Sequence, residues 1–503
     1  AMKKYISHVL LLFLYASAAH SQSMHDLLRF TRPELKGTAR YISLGGAFNA
    51  LGGDLSAIKD NPAAAAVFIN SELGVTLNAV DNKIDASYFG NQNSIDSRSS
   101  KVEQFGIVLV LNDTEGNDFS KIALAFNYQN DRIYDNKYNA IGINPNRGLD
   151  DYFLAYANGV RFQDIKTYDD ESISDSYRYL GEQRGFSSQQ AFLGYQSYVI
   201  NPEETTDENT LYVSNSNPQG NSVNHDLFIS QSGRKSKYSF TLSTQYKDKL
   251  YLGLNLNSHQ LETRRVHNLL EDNYGAGSDF SYAEFENDLY TYGSGFSFQL
   301  GAIYKPTDKI RMGLSYQSPT WYSLTDELSQ FIITSENNET DTIDPGVINI
   351  YEYKFSTPAE MSAGLAYIFG KNGLISAQYD LSNYQNTSFN INQGDVNFIN
   401  QNNEIASNLK SAGTLKLGGE YRISRFSIRA GYFNQKSIHK AFQDSYNGSS
   451  IGIGYDFGGS ALNLALSRVE SQRSEPLFDS GLTDLVGIKN NQSQFLISYS
   501  MKL

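Results

Sequence analysis

The 503 residues contain no cysteine. That excludes a disulfide framework and a lipidated N-terminal cysteine, so an exported chain of this kind folds without oxidation. After the N-terminus no stretch comes near 18 consecutive apolar residues, and the chain does not cross a membrane with helices. Proline is scarce, at 10 residues, and no Pro-rich or Gly/Ser-rich linker breaks the pattern between Leu73 and Leu503. The length alone would suggest several domains, but the uniform pattern argues for one large closed unit. A basic surplus is missing too. The formal net charge is -13, which disfavours nucleic acid as a partner. There is no HExxH, GxSxG or GxxxxGK[ST], and His25, His225, His259, His267 and His439 are scattered. No enzyme, metal site or cofactor is expected.

What the chain does have is aromatic alternation, with 35 Tyr and 29 Phe at a mean hydropathy of -0.43. Met361, Ala363, Leu365, Tyr367 and Phe369 precede a turn at Gly370 to Gly373, and Ile375, Ala377, Tyr379 and Leu381 follow it. Every second residue is apolar, which is strand period. The unit recurs at Leu415 to Ile423 and Phe426 to Tyr432, with Lys416, Glu420, Arg422 and Arg429 on the other face and paired across neighbouring strands. The same reading places strands at Phe105 to Leu111, Ile122 to Tyr128, Tyr238 to Leu242, Leu250 to Leu254, Phe296 to Tyr304, Ile310 to Tyr316, Ile451 to Phe457, Leu462 to Leu466 and Phe495 to Leu503. A first strand starts at Leu73 and changes parity by Ile84, Ala86 and Tyr88, which predicts a bulge. The tally of these strands is fourteen.

Six connections are short: Asn112 to Phe119, Lys247 to Lys249, Pro306 to Lys309, Gly370 to Gly373, Ser424-Arg425 and Gly458 to Ser460. They alternate strictly with long ones. Short turns at one end and long loops at the other mark an outer-membrane barrel rather than a sandwich. Tyr246, Tyr304, Tyr367, Tyr421 and Tyr455 stand on the greasy face just before five of those turns, as an interfacial girdle requires. The expected fold is all-β, a 14-stranded antiparallel transmembrane barrel over residues 71-503, closed by a small N-terminal hatch at 22-70. Residues 1-21 read as a secretory leader, with Lys3 and Lys4 before the apolar Val9 to Tyr15, and its removal moves the formal charge from -13 to -15.

Within 22-70, Ser23 to Phe30 reads as a short amphipathic helix. Then comes GGAFNALGGDLSAIKDNPAA, in which a glycine pair leads through Asp54 to Asn61-Pro62-Ala63. With Ser356-Thr357-Pro358-Ala359-Glu360 and LKLGGEYRISRFSIRAGYF at Leu415 to Phe433, this resembles the FadL/TodX family of outer-membrane transporters. The final strand is similar to the family's assembly signal, although it ends on Leu503 instead of Phe. The resemblance implies a hatch built on Gly45, Gly46, Asp54, Asn61, Pro62 and Ala63, no cofactor, and passage of long-chain fatty acid-like molecules through the lumen to a lateral opening in the wall. The implied setting is the outer membrane of a Gram-negative bacterium, in contact with lipid and lipopolysaccharide.

Inward positions carry the candidate ligand contacts. Val108, Val110, Ile303, Ile368 and Phe433 are apolar, and Arg422 and Arg429 offer charge for a carboxylate head. Packing against the hatch is the competing reading of each. The acidic stretches Asp169 to Glu171, Glu203 to Glu208 and Asp326 to Asp344 lack calcium-loop spacing and read as solvated loops. Arg at Leu417 or Leu300 should meet lipid, whereas Arg at Gln299 should be tolerated. Two functions follow: a passive channel for hydrophobic small molecules, or an accessory barrel that binds other outer-membrane proteins through its loops.

Overall fold

The computed structural model describes residues 23–112, 118–168, 170–216, 222–275, 277–336, 339–391, 396–441 and 444–503. The expected leader, part of the first short turn and Asp169 lie outside these residues. The strands are β1 (Glu72–Tyr88), β2 (Asn91–Asn112), β3 (Phe119–Ile133, resumed at Asn136–Asn144), β4 (Val223–Tyr246), β5 (Leu250–Asp272), β6 (Tyr282–Tyr304) and β7 (Ile310–Gln317, resumed at Trp321–Glu336). They continue with β8 (Asn349–Ser356, resumed at Glu360–Ile368), β9 (Gly373–Asn383), β10 (Ser411–Ile423), β11 (Phe426–Gln435), β12 (Ser445–Asp456), β13 (Ser460–Pro476) and β14 (Leu485–Lys502). Each pairs antiparallel with its neighbours, and β14 pairs with β1 from Lys502↔Glu72 to Gly487↔Ser87. The sheet is a closed cylinder of fourteen strands.

Closure pairs the strands all round the lipid-facing band, so the outward face there is free to be apolar. Leu300, Leu314, Leu365, Leu417, Ile428 and Ile451 all stand exposed on it. At the short-turn end the girdle is Phe119 with Tyr246, Tyr367 with Phe369, and Phe426 with Tyr455, their ring centroids 4.7 to 5.1 Å apart. A second belt holds Tyr128 with Tyr238 and Phe296 with Trp321, the lone tryptophan. Along β6, Tyr304 stands eight positions after Phe296. At ~3.3 Å per residue and a tilt of ~40° this spans about 20 Å, close to the apolar height of outer-membrane barrels. Leu300→Arg should therefore cost roughly 2–4 kcal/mol, read as a lowered urea midpoint in vesicles.

Four expectations need correction. Gln299 is only 3% exposed and donates to the Asp60 carbonyl at 2.9 Å, so arginine there would collide with the N-terminal segment instead of reaching water. The bulge lies in β2, not β1: the ladder steps from Thr76↔Gln104 to Leu77↔Val102, leaving Glu103 as the extra residue. Ile84, Ala86 and Tyr88 keep the inward parity of β1 and are buried under the loops. The connection between the first two strands is also not an irregular long loop. Both strands continue past the upper belt and meet at Phe89-Gly90; the part of β2 before Phe105 shows no alternation because its outward residues are polar. Finally, Asp326 is not on a solvated loop but buried within β7, where it accepts from Thr291 at 2.6 Å.

The chain from Ser23 to Asn70 runs inside the cylinder as α1 (Met24–Thr31), α2 (Ala39–Ser43) and two 3-10 turns, Ala57–Lys59 and Pro62–Val67. Over the far mouth sits a cap formed by the β3–β4 connection, with α3 (Leu149–Ala157), α4 (Phe162–Ile165), α5 (Ile173–Gln183) and α6 (Phe186–Gln196). Its own apolar core joins Phe153, Phe192 and Leu193 to Phe285, Phe478 and Ile488 of the barrel rim. A buried polar chain fastens it: Tyr88 Oη to His225 Nδ1 at 2.8 Å, His225 Nε2 to Glu271 at 2.8 Å, and the Leu149 amide donating to the same carboxylate at 2.7 Å.

Candidate functional site

The lower half of the N-terminal segment is held by its backbone. Wall side chains reach its peptide groups one by one: Gln378 accepts from the amides of Phe48 and Asn49, Ser376 donates to Ala47, Ser450 to Ile42, Asn255 to Ile58 and Asn127 to Leu55, at 2.6 to 3.2 Å. Irregular backbone buried in a barrel needs such partners because no water can replace them. The glycines that allow this approach are on the wall. A Cβ on Gly431 would lie 2.0 Å from the Gly45 nitrogen, on Gly313 2.2 Å from the Asn49 oxygen, on Gly418 2.4 Å from the Leu44 oxygen, and on Gly301 2.0 Å from Asn61 Oδ1. Gly253, Gly364 and Gly452 belong to the same inward belt.

The motif residues sit where this clasp is tightest. Gly45 and Gly46 turn the chain after α2 at φ of 62° and 73°, values that side-chain-bearing residues rarely adopt. Asp54 caps the next turn, accepting from Thr38 and from the Ser56 amide at 2.8 Å. Asn61 accepts from the Ala63 amide at 3.1 Å and donates to the carbonyls of Asn49 and Ala302, with Pro62 opening the 3-10 turn where no amide is needed.

The candidate ligand contacts divide into two groups. Val108, Ile303 and Phe433 are buried against the N-terminal segment, with Val110 and Ile368 partly buried beside them. Phe433 also lines a cavity. Arg429 and Arg422 both bind Glu420, at 2.6 and 2.5 Å, and Arg40 of α2 approaches the same carboxylate at 3.3 Å. One acid thus ties two wall arginines to the inner segment.

Above this clasp lies a cavity of about 160 Å³ lined by Lys59, Lys235, Lys237, Lys416, Asp60, Asp131, Glu360 and Asp380. Leu35, Tyr322, Tyr384 and Phe433 share the lining with these charges, so the chamber is mixed. An apolar molecule there would have to displace the hydration or partners of the charges.

Higher still the wall becomes aromatic. Met24, Leu27, Leu28 and Phe30 of α1 pack on Tyr134, Leu261, Tyr322, Tyr353, Phe355 and Phe389. The amphipathic helix expected at Ser23 to Phe30 is present, started by a capping box between Ser23 and Asp26. Next to it the wall is incomplete. β2 and β3 pair only from Gln104↔Gln129 to Asn112↔Lys121, and beyond that point Asn130 Nδ2 to the Val102 carbonyl and an ion pair of Lys101 with Asp135 bridge them. Arg132 and Tyr134, just past the break, donate to the Arg29 carbonyl of α1.

The far end of α1 is tied to the β13–β14 loop by His25 Nδ1 and Asp479 at 3.0 Å. Burial lowers the imidazole pKa, and the hydrogen bond and charge of Asp479 more than offset it, so the net shift is upward. A raised folded-state value means the contact is complete below the ordinary histidine pKa and is lost as pH rises through the shifted one. With the pair partly exposed, the effect is at most ~1 kcal/mol. Maleimide labelling of a Ser23→Cys protein, normalised to the same protein carrying His25→Ala, should accelerate as pH rises above the ordinary histidine range and stay level below it.

Solved structures share this architecture. Against a Pseudomonas aeruginosa FadL homologue the chain is 14% identical, with 93% of this chain and 99% of that one covered and a TM-score of 0.53. A deltaS2 mutant of the TodX monoaromatic hydrocarbon channel gives 13%, 93%, 100% and 0.50. The chain has the fold of the FadL/TodX barrels. No family model matches it, and a search of curated proteins finds no sequence match. A closed cylinder with this lipid-facing band has the build of outer-membrane barrels. Three features escaped the sequence reading: the inward glycine belt, the break between β2 and β3, and the aromatic seat of α1. Only the first left a signal, since its glycines recur at the inward parity of strands whose outward parity is apolar.

Proposed function

We propose that this barrel is a passive outer-membrane channel for hydrophobic small molecules, fatty acid-like ones among them. The aromatic seat of α1 carries the reading: an apolar surface in the outer lumen, filled by a helix held largely by side-chain contacts, is a site a hydrophobic molecule can compete for. The charged chamber and clasped segment below oppose axial passage of such a molecule. The way out is then sideways, through the unpaired stretch of β2 and β3 that opens just above Gln104 and Gln129, at the upper edge of the lipid-facing band. In this reading the hatch spans 22-70 and its motif residues hold shape rather than touch ligand.

The test uses Lys101→Cys with Asp135→Cys, which replaces the ion pair across the break by a removable link. Fatty acid uptake into vesicles should drop at least fivefold on cross-linking and return on reduction. Uptake that does not depend on the protein at all would end the transport reading, and uptake indifferent to the link would end the lateral route.

A second reading has one observation of its own. Tyr168, Tyr179, Tyr198, Leu211 and Val213 are exposed on the cap, more apolar surface than a solvated loop calls for. A stoichiometric partner retained through gentle detergent purification would favour an accessory barrel in a larger assembly.

A further inference from the structure

Three guanidiniums meet around one carboxylate at the short-turn mouth of the lumen. Glu420 of β10 has a fully buried side chain. One of its oxygens accepts from Arg429 Nε at 2.6 Å and from Arg40 Nε at 3.3 Å, and the other from Arg422 Nε at 2.6 Å. Arg40 Nη1 also donates to the Gly53 carbonyl, and Arg429 Nη1 to Asn463. Arg40 Nη2, Arg422 Nη1 and Arg429 Nη2 make no hydrogen bond among the described residues.

All three arginines line one cavity of about 490 Å³, which reaches Gly370, Ser424 and Ser460 and so opens on the side of the short turns. The other charges of its lining cancel: Lys371, Arg425 and Lys502 stand against Asp54, Glu72 and Asp456. Arg40, Arg422 and Arg429 against Glu420 then leave an excess of two positive charges, on a chain whose formal charge is -13. Like charges gathered this closely repel unless a second anion joins them. Guanidinium forks match the oxygens of an oxyanion, and such charge-assisted bonds are strong. A monocarboxylate would balance half of the excess, and a phosphate dianion would balance all of it. We infer that the mouth binds one soluble phosphate-type dianion, held by Arg40, Arg422 and Arg429. Since Arg40 belongs to the N-terminal segment and the other two to the wall, the bound anion bridges segment and cylinder from the open side, as Glu420 does from the buried side.

Isothermal titration of the full chain in a nonionic detergent, with inorganic phosphate at fixed ionic strength near pH 8, tests this. The parent should bind one phosphate. Arg422→Gln removes a half-exposed arm while leaving Glu420 two partners, and should weaken binding at least tenfold. Glu420→Gln removes the resident counter-charge and should tighten it at least fivefold, an effect that a purely structural role for the cluster would not give. Arg178→Gln, on the exposed face of α5, should change nothing. No saturable binding by the parent, or equal binding by the parent and Arg422→Gln, overturns the assignment. Octanoate competing as well as phosphate also overturns it, because the mouth would then favour a monocarboxylate. If Glu420→Gln does not insert, Arg422→Gln still decides.

Discussion

Replacing Gly313 and Gly431 together by valine will turn the closed barrel into an open pore. Each new Cβ would sit about 2 Å from a peptide atom of the N-terminal segment, with backbone rather than a movable side chain as its neighbour. Overpacking of this kind costs ~1–3 kcal/mol per site, and sites on opposite stretches of the segment add. The wall is the stiffer partner, since its ladders close on themselves. The segment is what yields. Liposome swelling in a small sugar should rise at least tenfold, while the heat-modified gel shift of the barrel stays. Gly419→Val, facing lipid with room beside it, should leave swelling unchanged. Equal swelling in the two proteins would show that the belt does not hold the segment.

The second large effect is at Glu420. Its carboxylate is shared by Arg40, Arg422 and Arg429, and both it and Arg429 are almost fully buried. Glu420→Gln keeps the volume but leaves guanidiniums without a counter-charge, which costs ~3–5 kcal/mol when a buried pair is broken from one side. The urea midpoint should fall accordingly, and α2 should loosen, since Arg40 loses its link to the wall. Glu470→Gln is the control. It removes a pair with Lys489 that is more than 40% exposed on both sides, and should change stability by ~0–1 kcal/mol.

Lipid explains what was legible in the sequence. The outward face of Leu415, Leu417 and Tyr421 has one neighbour, hydrocarbon, so its residue types are forced and alternate visibly. The inward face has many. Val108, Ile303 and Phe433 look like a ligand lining because they are apolar, yet in this structure they cover an N-terminal segment that the strand pattern cannot locate. Above the upper belt the outward constraint vanishes, which is why Ser94 to Lys101 of β2 read as loop although they pair along β1. Ile84 and Tyr88 misled for the converse reason: a cap assembled from distant stretches made inward positions apolar again. The turns at Gly45 and Gly46 were readable because they are local, as are the caps made by Asp54 and Asn61. Their wall partners, such as Gln378 and Asn255, follow only from the fold.

The clasp also sets an order of events in biogenesis. The gripping groups come from strands all around the circumference, from Asn127 on β3 to Ser450 on β12 and Ser498 on β14, which receives the Ala39 amide. A finished cylinder offers no seam through which a chain so contoured can be threaded against them. The first-made residues must therefore be on site while the hairpins gather, and the seam between first and last strands shuts around them as staves are hooped around a core.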